Sequence, residues 1–153
     1  MRTSKMAMFR WIILLVLLLA PTAAITAAGP PDVINSYVVT VTPQDDGSLV
    51  MKYEFDYTVA TDFPSGSAYL EVGVPNKDFT IQDFGPKDFV TSATPKTSGG
   101  SWVRLEFKKL PKAKDNFKIN FTIKQNAMAY AQGENVTFRF TPGWFDFAEI
   151  KKL

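Results

Sequence analysis

Glu54 and Asp56 stand two positions apart in 49–59, a segment of alternating apolar and polar residues, so both carboxylates fall on one face of a strand. Two carboxyl groups facing a sugar across a cleft could carry the acid and base steps of glycoside hydrolysis. That chemistry needs one of the pair buried, so that its pKa rises. Here the pair shares its face with Lys52 and Thr58, the composition of a solvated strand surface. Asp45-Asp46-Gly47-Ser48 looks like a fragment of a calcium loop, but calcium takes about six to eight oxygens. The remaining ligands are missing, and Asp-Gly between two alternating segments predicts a hairpin turn.

The chain contains no His and no Cys. Serine therefore has no imidazole to activate it, and the commonest soft-metal ligands are absent. No Gly-x-Ser-x-Gly elbow and no phosphate-cradling glycine loop occurs. The sequence offers no catalytic, cofactor-binding or metal-ligating residue, and the expectation is a protein that is not an enzyme.

The remaining candidates are aromatic. Thr141-Pro142-Gly143-Trp144-Phe145-Asp146-Phe147 sets three aromatic rings around a turn, either as a sugar-stacking platform or partner hot spot, or as a hydrophobic plug at one end of the domain. Trp102 opens a strand on the same face as Arg104 and Glu106. Tyr130 lies in Asn126-Ala127-Met128-Ala129-Tyr130-Ala131, a stretch compatible with a helical turn or a loop. Trp102, Tyr130, Trp144 and Phe145 are the candidate contacts for a ligand or partner.

These residues need elements to position them. Residues 1–28 have the three parts of a secretory leader: a basic head with Arg2, Lys5 and Arg10, an apolar run from Trp11 to Ala20, and small residues from Pro21 to Ala28. The rival to cleavage after Ala28 is retention as a membrane anchor. From residue 34 to 153 the pattern has period two. Leu49, Met51, Tyr53, Phe55, Tyr57 and Val59 share one face; Val103, Leu105 and Phe107, and Phe117, Ile119, Phe121 and Ile123, repeat the arrangement. Val136, Phe138 and Phe140 are expected to do the same. Turn residues separate about eight such segments. The expected fold is all-β, an antiparallel two-sheet sandwich of immunoglobulin-like or jelly-roll-like architecture, preceded by a signal-peptide helix. The segment 147–153 reads as a strand just begun, either a short terminal edge strand or the point at which a longer protein is cut.

Of 17 basic residues three lie in the leader, which leaves 14 against 15 acidic ones, a balance of −1. No basic field exists to attract nucleic acid. With 46% hydrophobic and 14% aromatic residues the domain is too apolar for a disordered chain.

Ser36-Tyr37-Val38-Val39-Thr40-Val41 with Asp46-Gly47-Ser48-Leu49, then Val72-Gly73-Val74-Pro75-Asn76, then Phe140-Thr141-Pro142-Gly143-Trp144-Phe145-Asp146 form a familiar set. Over most of 34–150 the chain resembles the N-terminal extracellular β-domain of uncharacterised membrane proteins from Gram-positive, clostridial-type bacteria. The resemblance implies a surface location and relatives with a C-terminal membrane segment; it implies no activity and no site residue. The expected role is a non-catalytic extracellular module, secreted or on the cell surface, that meets a protein or glycan at the cell envelope. It would touch the membrane only through the leader or a missing C-terminal segment. The alternatives are a structural spacer in a longer membrane protein and a secreted glycoside hydrolase working with carboxylates alone.

Overall fold

The structure is a computed structural model and describes residues 32–139, 141, 143 and 148–153. The leader, Trp144 and Phe145 lie outside the described residues. Ten strands and no helix are present among those described. They are β1 (Asp32–Pro43), β2 (Leu49–Thr58), β3 (Tyr69–Gly73), β4 (Phe79–Gly85), β5 (Val90–Lys96), β6 (Trp102–Phe107), β7 (Asn116–Gln125), β8 (Ala129–Gln132), β9 (Asn135–Phe138) and β10 (Ala148–Ile150). A five-stranded sheet has the order β10-β1-β2-β7-β4, a three-stranded sheet the order β3-β6-β5, and β8 and β9 form a separate ribbon.

Neighbouring strands run antiparallel throughout, except that β10 lies parallel to the start of β1, with Asp32 opposite Ala148. The β1–β2 hairpin turns through Asp45, Asp46 and Gly47. The Gly47 amide donates to the Gln44 carbonyl at 3.0 Å, and Gly47 has φ +79°, a conformation that a β-carbon disfavours. Asp46 closes the turn through the Ser48 amide at 3.0 Å and the Lys124 ammonium at 2.6 Å, so its carboxylate is committed to structure. Hydrogen bonds from Lys124 and Ser48 hold that carboxyl far below the usual carboxylate range.

Period two works as expected on the long strands. Leu49, Met51, Tyr53, Phe55 and Tyr57 of β2 are all at most 2% exposed, and Ile119, Phe121 and Ile123 of β7 at most 1%. Leu70, Val72, Val103, Leu105 and Phe107 of the smaller sheet join them in one cluster. Aromatic rings line up across the strands, Tyr37 on Phe55 at 4.9 Å, Tyr53 on Phe121 at 4.5 Å and Tyr57 on Phe117 at 5.2 Å between centroids. Such pairs add about 0.5–1.5 kcal/mol each beyond the area they bury. The buried Tyr57 hydroxyl donates to Asp32 Oδ2 at 2.6 Å, and Asp32 Oδ1 accepts the Ala60 amide at 2.7 Å. Burial, reinforced by that carboxylate, pushes the Tyr57 hydroxyl well above its ordinary pKa.

Alternation fails as a guide in the ribbon. Val136 is 59% exposed, although its spacing with Phe138 predicts an inward side chain. Among the described residues β8 and β9 pair only with each other, and while Phe138 packs against the core, Val136 projects to solvent. Asn126–Ala131 is neither helical nor a plain loop: Ala127 turns the chain with φ 53°, and Ala129 starts β8.

Gly143 is buried where the chain returns past β3. A β-carbon there would run into the Gly73 carbonyl and come within 2.8 Å of the Tyr37 hydroxyl. Gly143→Ala is expected to lower unfolding free energy by about 1–3 kcal/mol, the usual cost of overpacking. Urea unfolding of wild type and variant side by side checks this; equal midpoints would show that the segment yields freely.

Candidate ligand-binding site

The inward row of β7 runs Ile119, Phe121, Ile123 and then Gln125, an amide at a position with 0% exposure. A buried polar group left without partners costs about 1–3 kcal/mol. The β3–β4 turn supplies those partners. Asn76 Oδ1 accepts Gln125 Nε2 at 2.6 Å and the Asp78 amide at 2.7 Å, and Gln125 Nε2 also donates to the Asp78 carbonyl at 2.9 Å. Asn76 Nδ2 crosses to the Asn126 carbonyl at 3.0 Å, and the Asn126 amide returns to the Asp78 carbonyl at 2.8 Å. Asn126 Nδ2 donates to Asp78 Oδ1 at 2.9 Å. Side-chain amides thus clasp the β3–β4 turn to the β7–β8 loop. Gln125 Oε1 has no hydrogen-bond partner among the described residues.

Beyond the clasp, the left-handed turn at Ala127 and the buried Met128 direct β8 outward. A cavity of about 280 Å³ remains between the two loops and the ribbon, lined by Pro75, Asn76, Met128, Tyr130, Arg139 and Thr141 among others. Its size is at the small end for ligand pockets, enough for one ring and too little for a large ligand. Tyr130 is 53% exposed on its wall. The Arg139 amide is tied to the Met128 carbonyl at 3.4 Å, and its guanidinium meets no carboxylate within ion-pair distance among the described residues.

Two other cavities have their carboxylates already engaged. One of about 250 Å³ is lined by Asp32, Asp62 and Glu71. Asp32 receives Tyr57 and Ala60, Asp62 receives Lys112 and Ala113, and Glu71 receives Lys96 and Arg104. Another, of about 220 Å³, lies over Glu54, Asp56 and Lys118. Glu54 pairs with Lys52 at 2.9 Å, while Asp56 accepts Asn116 at 2.8 Å and Asn35 at 3.0 Å. Those two amides hold the Asp56 carboxyl below its ordinary pKa, opposite to the shift a general acid requires. The cavity with Tyr130 is the one of the three whose lining holds a cation and no carboxylate.

The aromatic candidates do not gather at one place in the described structure. Tyr130 lines the cavity, whereas Trp102 is half-buried on the outer face of the three-stranded sheet and is not part of the lining. Trp102 stands opposite Gly73 and Lys96, and its indole lies over Gly100, where a β-carbon would approach Cε2 within 2.9 Å. Arg139 and Asn76 line the cavity yet are not among the candidate contacts read from the sequence, although Asn76 closes the 72–76 motif. The available signals were slight: an arginine in an otherwise aromatic and small-residue segment, and an Asn two residues before an Asp at a turn, the spacing of a side-chain-closed turn.

The outer face beside Trp102 is an ion network. Glu71 Oε1 accepts Lys96 at 2.8 Å and Arg104 at 2.7 Å, and the Arg104 guanidinium lies 4.0 Å from the centre of the Tyr69 ring. Partial burial pushes the Glu71 carboxyl up, but the hydrogen bonds from Lys96 and Arg104 outweigh it and hold the group below its ordinary value.

Comparison with protein-family models finds no match for the chain, and comparison with curated protein sequences finds none either.

A carboxyl whose pKa is lower folded than unfolded stabilises the fold at neutral pH, and that contribution fades as pH falls through the folded value. Glu71→Gln is therefore expected to cost about 1 kcal/mol near pH 7 and progressively less as pH falls below the ordinary glutamate range. Thermal melts of both proteins across that range test this. A difference that stays constant with pH would remove the ion network as its cause.

Proposed function

We propose that the chain is a non-catalytic binding module built as a two-sheet β-sandwich, exported through the leader at 1–28 and acting at the outer face of a bacterial cell. One observation carries the binding reading: a cavity beside a side-chain clasp, lined by an exposed tyrosine and by an arginine that meets no carboxylate among the described residues. Fixed walls with a few convergent polar groups are what small-ligand sites have in common. The sandwich reading is supported by the single hydrophobic cluster to which both larger sheets contribute. Its likeness to immunoglobulin domains is one of architecture. Their ABED and CFG sheets pair the second strand with the fifth and the sixth with the seventh, whereas here β2 pairs with β7 and β6 with β5. The resemblance to clostridial-type extracellular domains supports the cell-surface assignment, and a glycan of the envelope is the ligand class that suits a small polar cavity with an aromatic wall.

Fractionation of host cells into cytoplasm, envelope and medium, with an antibody against the β-domain, tests both parts. Wild type is expected in the envelope fraction, and Tyr130→Ser is expected to move by severalfold towards the medium. Wild type in the cytoplasm would overturn the location. An identical distribution for the variant would overturn the role of the cavity.

A further inference from the structure

The charge of the cavity carries the reading one step further. Its lining contains Arg139 and no acidic residue, and the carboxylate nearest in sequence to its clasp, Asp78, is occupied by the Asn126 amide at 2.9 Å. Of the other cations, Lys124 is held by Asp46, and Arg104 and Lys96 by Glu71, while Lys77 and Lys118, like Arg139, are in no ion pair among the described residues. A guanidinium is a planar fork of donors that matches a carboxylate in two parallel hydrogen bonds. Around it stand the exposed ring of Tyr130 and the polar side chains of Asn76 and Thr141, in a space of about 280 Å³. A single pyranose fits that volume, an aromatic face offers it a stacking surface, and a carboxylate on the ring would supply the charge that Arg139 lacks.

We propose that the cavity binds an acidic saccharide, a uronate-type sugar whose carboxylate pairs with Arg139 and whose ring lies against Tyr130. The inference rests on the reading of this cavity as the binding site. Asn76 is a positioning residue here, because its amide is spent on Gln125, Asp78 and Asn126.

Titration of the purified full-length chain with D-glucuronate, D-glucose and acetate, followed by amide NMR, separates the possibilities. Glucuronate is expected to shift the signals of Ala129 to Ala131 and of Arg139 saturably, glucose not at all, and acetate only weakly. Arg139→Gln is expected to weaken glucuronate about tenfold or more, the loss of one charge-assisted contact. Arg139→Lys should fall between the two, and Tyr130→Leu should weaken it about fivefold while Tyr130→Phe does not. Unchanged signals from β2 and β7 show that each variant is folded. Equal binding of glucose would overturn the acidic specificity and leave the cavity as a neutral-glycan site. Acetate binding as tightly as glucuronate would overturn the saccharide. No saturable shift with any of the three at the cavity would remove this inference and the binding reading together.

Discussion

The amide of Gln125 is the constraint around which one end of the molecule is organised. It occupies the inward position that follows Ile119, Phe121 and Ile123 in the β7 row, and it is fully buried. A leucine there would need nothing from its surroundings. An amide needs hydrogen-bond partners, and a loop brought over the sheet edge can supply acceptors for its Nε2. Asn76 and Asp78 do so, and in doing so they fix the β3–β4 turn against the β7–β8 loop. The cavity that carries Tyr130 and Arg139 is a consequence of that closure.

The rest of the fold is held by nonpolar burial, with aromatic residues at the centre. Tyr37, Phe55, Tyr53 and Phe121 form a continuous stacked set across β1, β2 and β7. Tyr37, Tyr53 and Tyr57 bring hydroxyls into the interior, and that of Tyr53 meets Met51 Sδ at 3.7 Å on its own strand. Tyr57 reaches Asp32 at the start of β1, and Tyr37 faces the returning segment at Gly143. The outer faces carry ion pairs and amide networks, among them Glu71 with Lys96 and Arg104, and Asp56 with Asn35 and Asn116. The guanidinium of Arg139, on the wall of the cavity, meets no carboxylate within ion-pair distance among the described residues.

Most strands were legible because their alternation is backed by a core. In β2, β6 and β7 the buried residues fall at every second position, and all of them but Gln125 are hydrophobic. Asp46-Gly47 announced its hairpin through the conformation glycine allows. The same rule misplaced Val136, because period two describes which residues share a face and not whether anything covers that face. The site was mostly illegible for a related reason. Large aromatic residues draw attention in a sequence, and Tyr130 was found that way. Asn76 and Arg139 owe their roles to contacts between segments about 50 residues apart in the chain, seen for instance in the Asn76–Asn126 bond, and no local pattern encodes those. The parallel docking of β10 on β1 was hidden likewise, since a three-residue strand carries no periodicity of its own.

The clasp is open to direct measurement by native-state amide hydrogen exchange in the wild-type chain and in Asn76→Ala. The account predicts that the Asp78 and Asn126 amides, bonded to Asn76 Oδ1 and the Asp78 carbonyl, are protected in the wild type. In the variant both should exchange at least tenfold faster, while the amides of β2 and β7 hold their protection. Unaltered protection at Asp78 and Asn126 in the variant would contradict the account, because the two loops would then be held together by something other than the amides that surround Gln125.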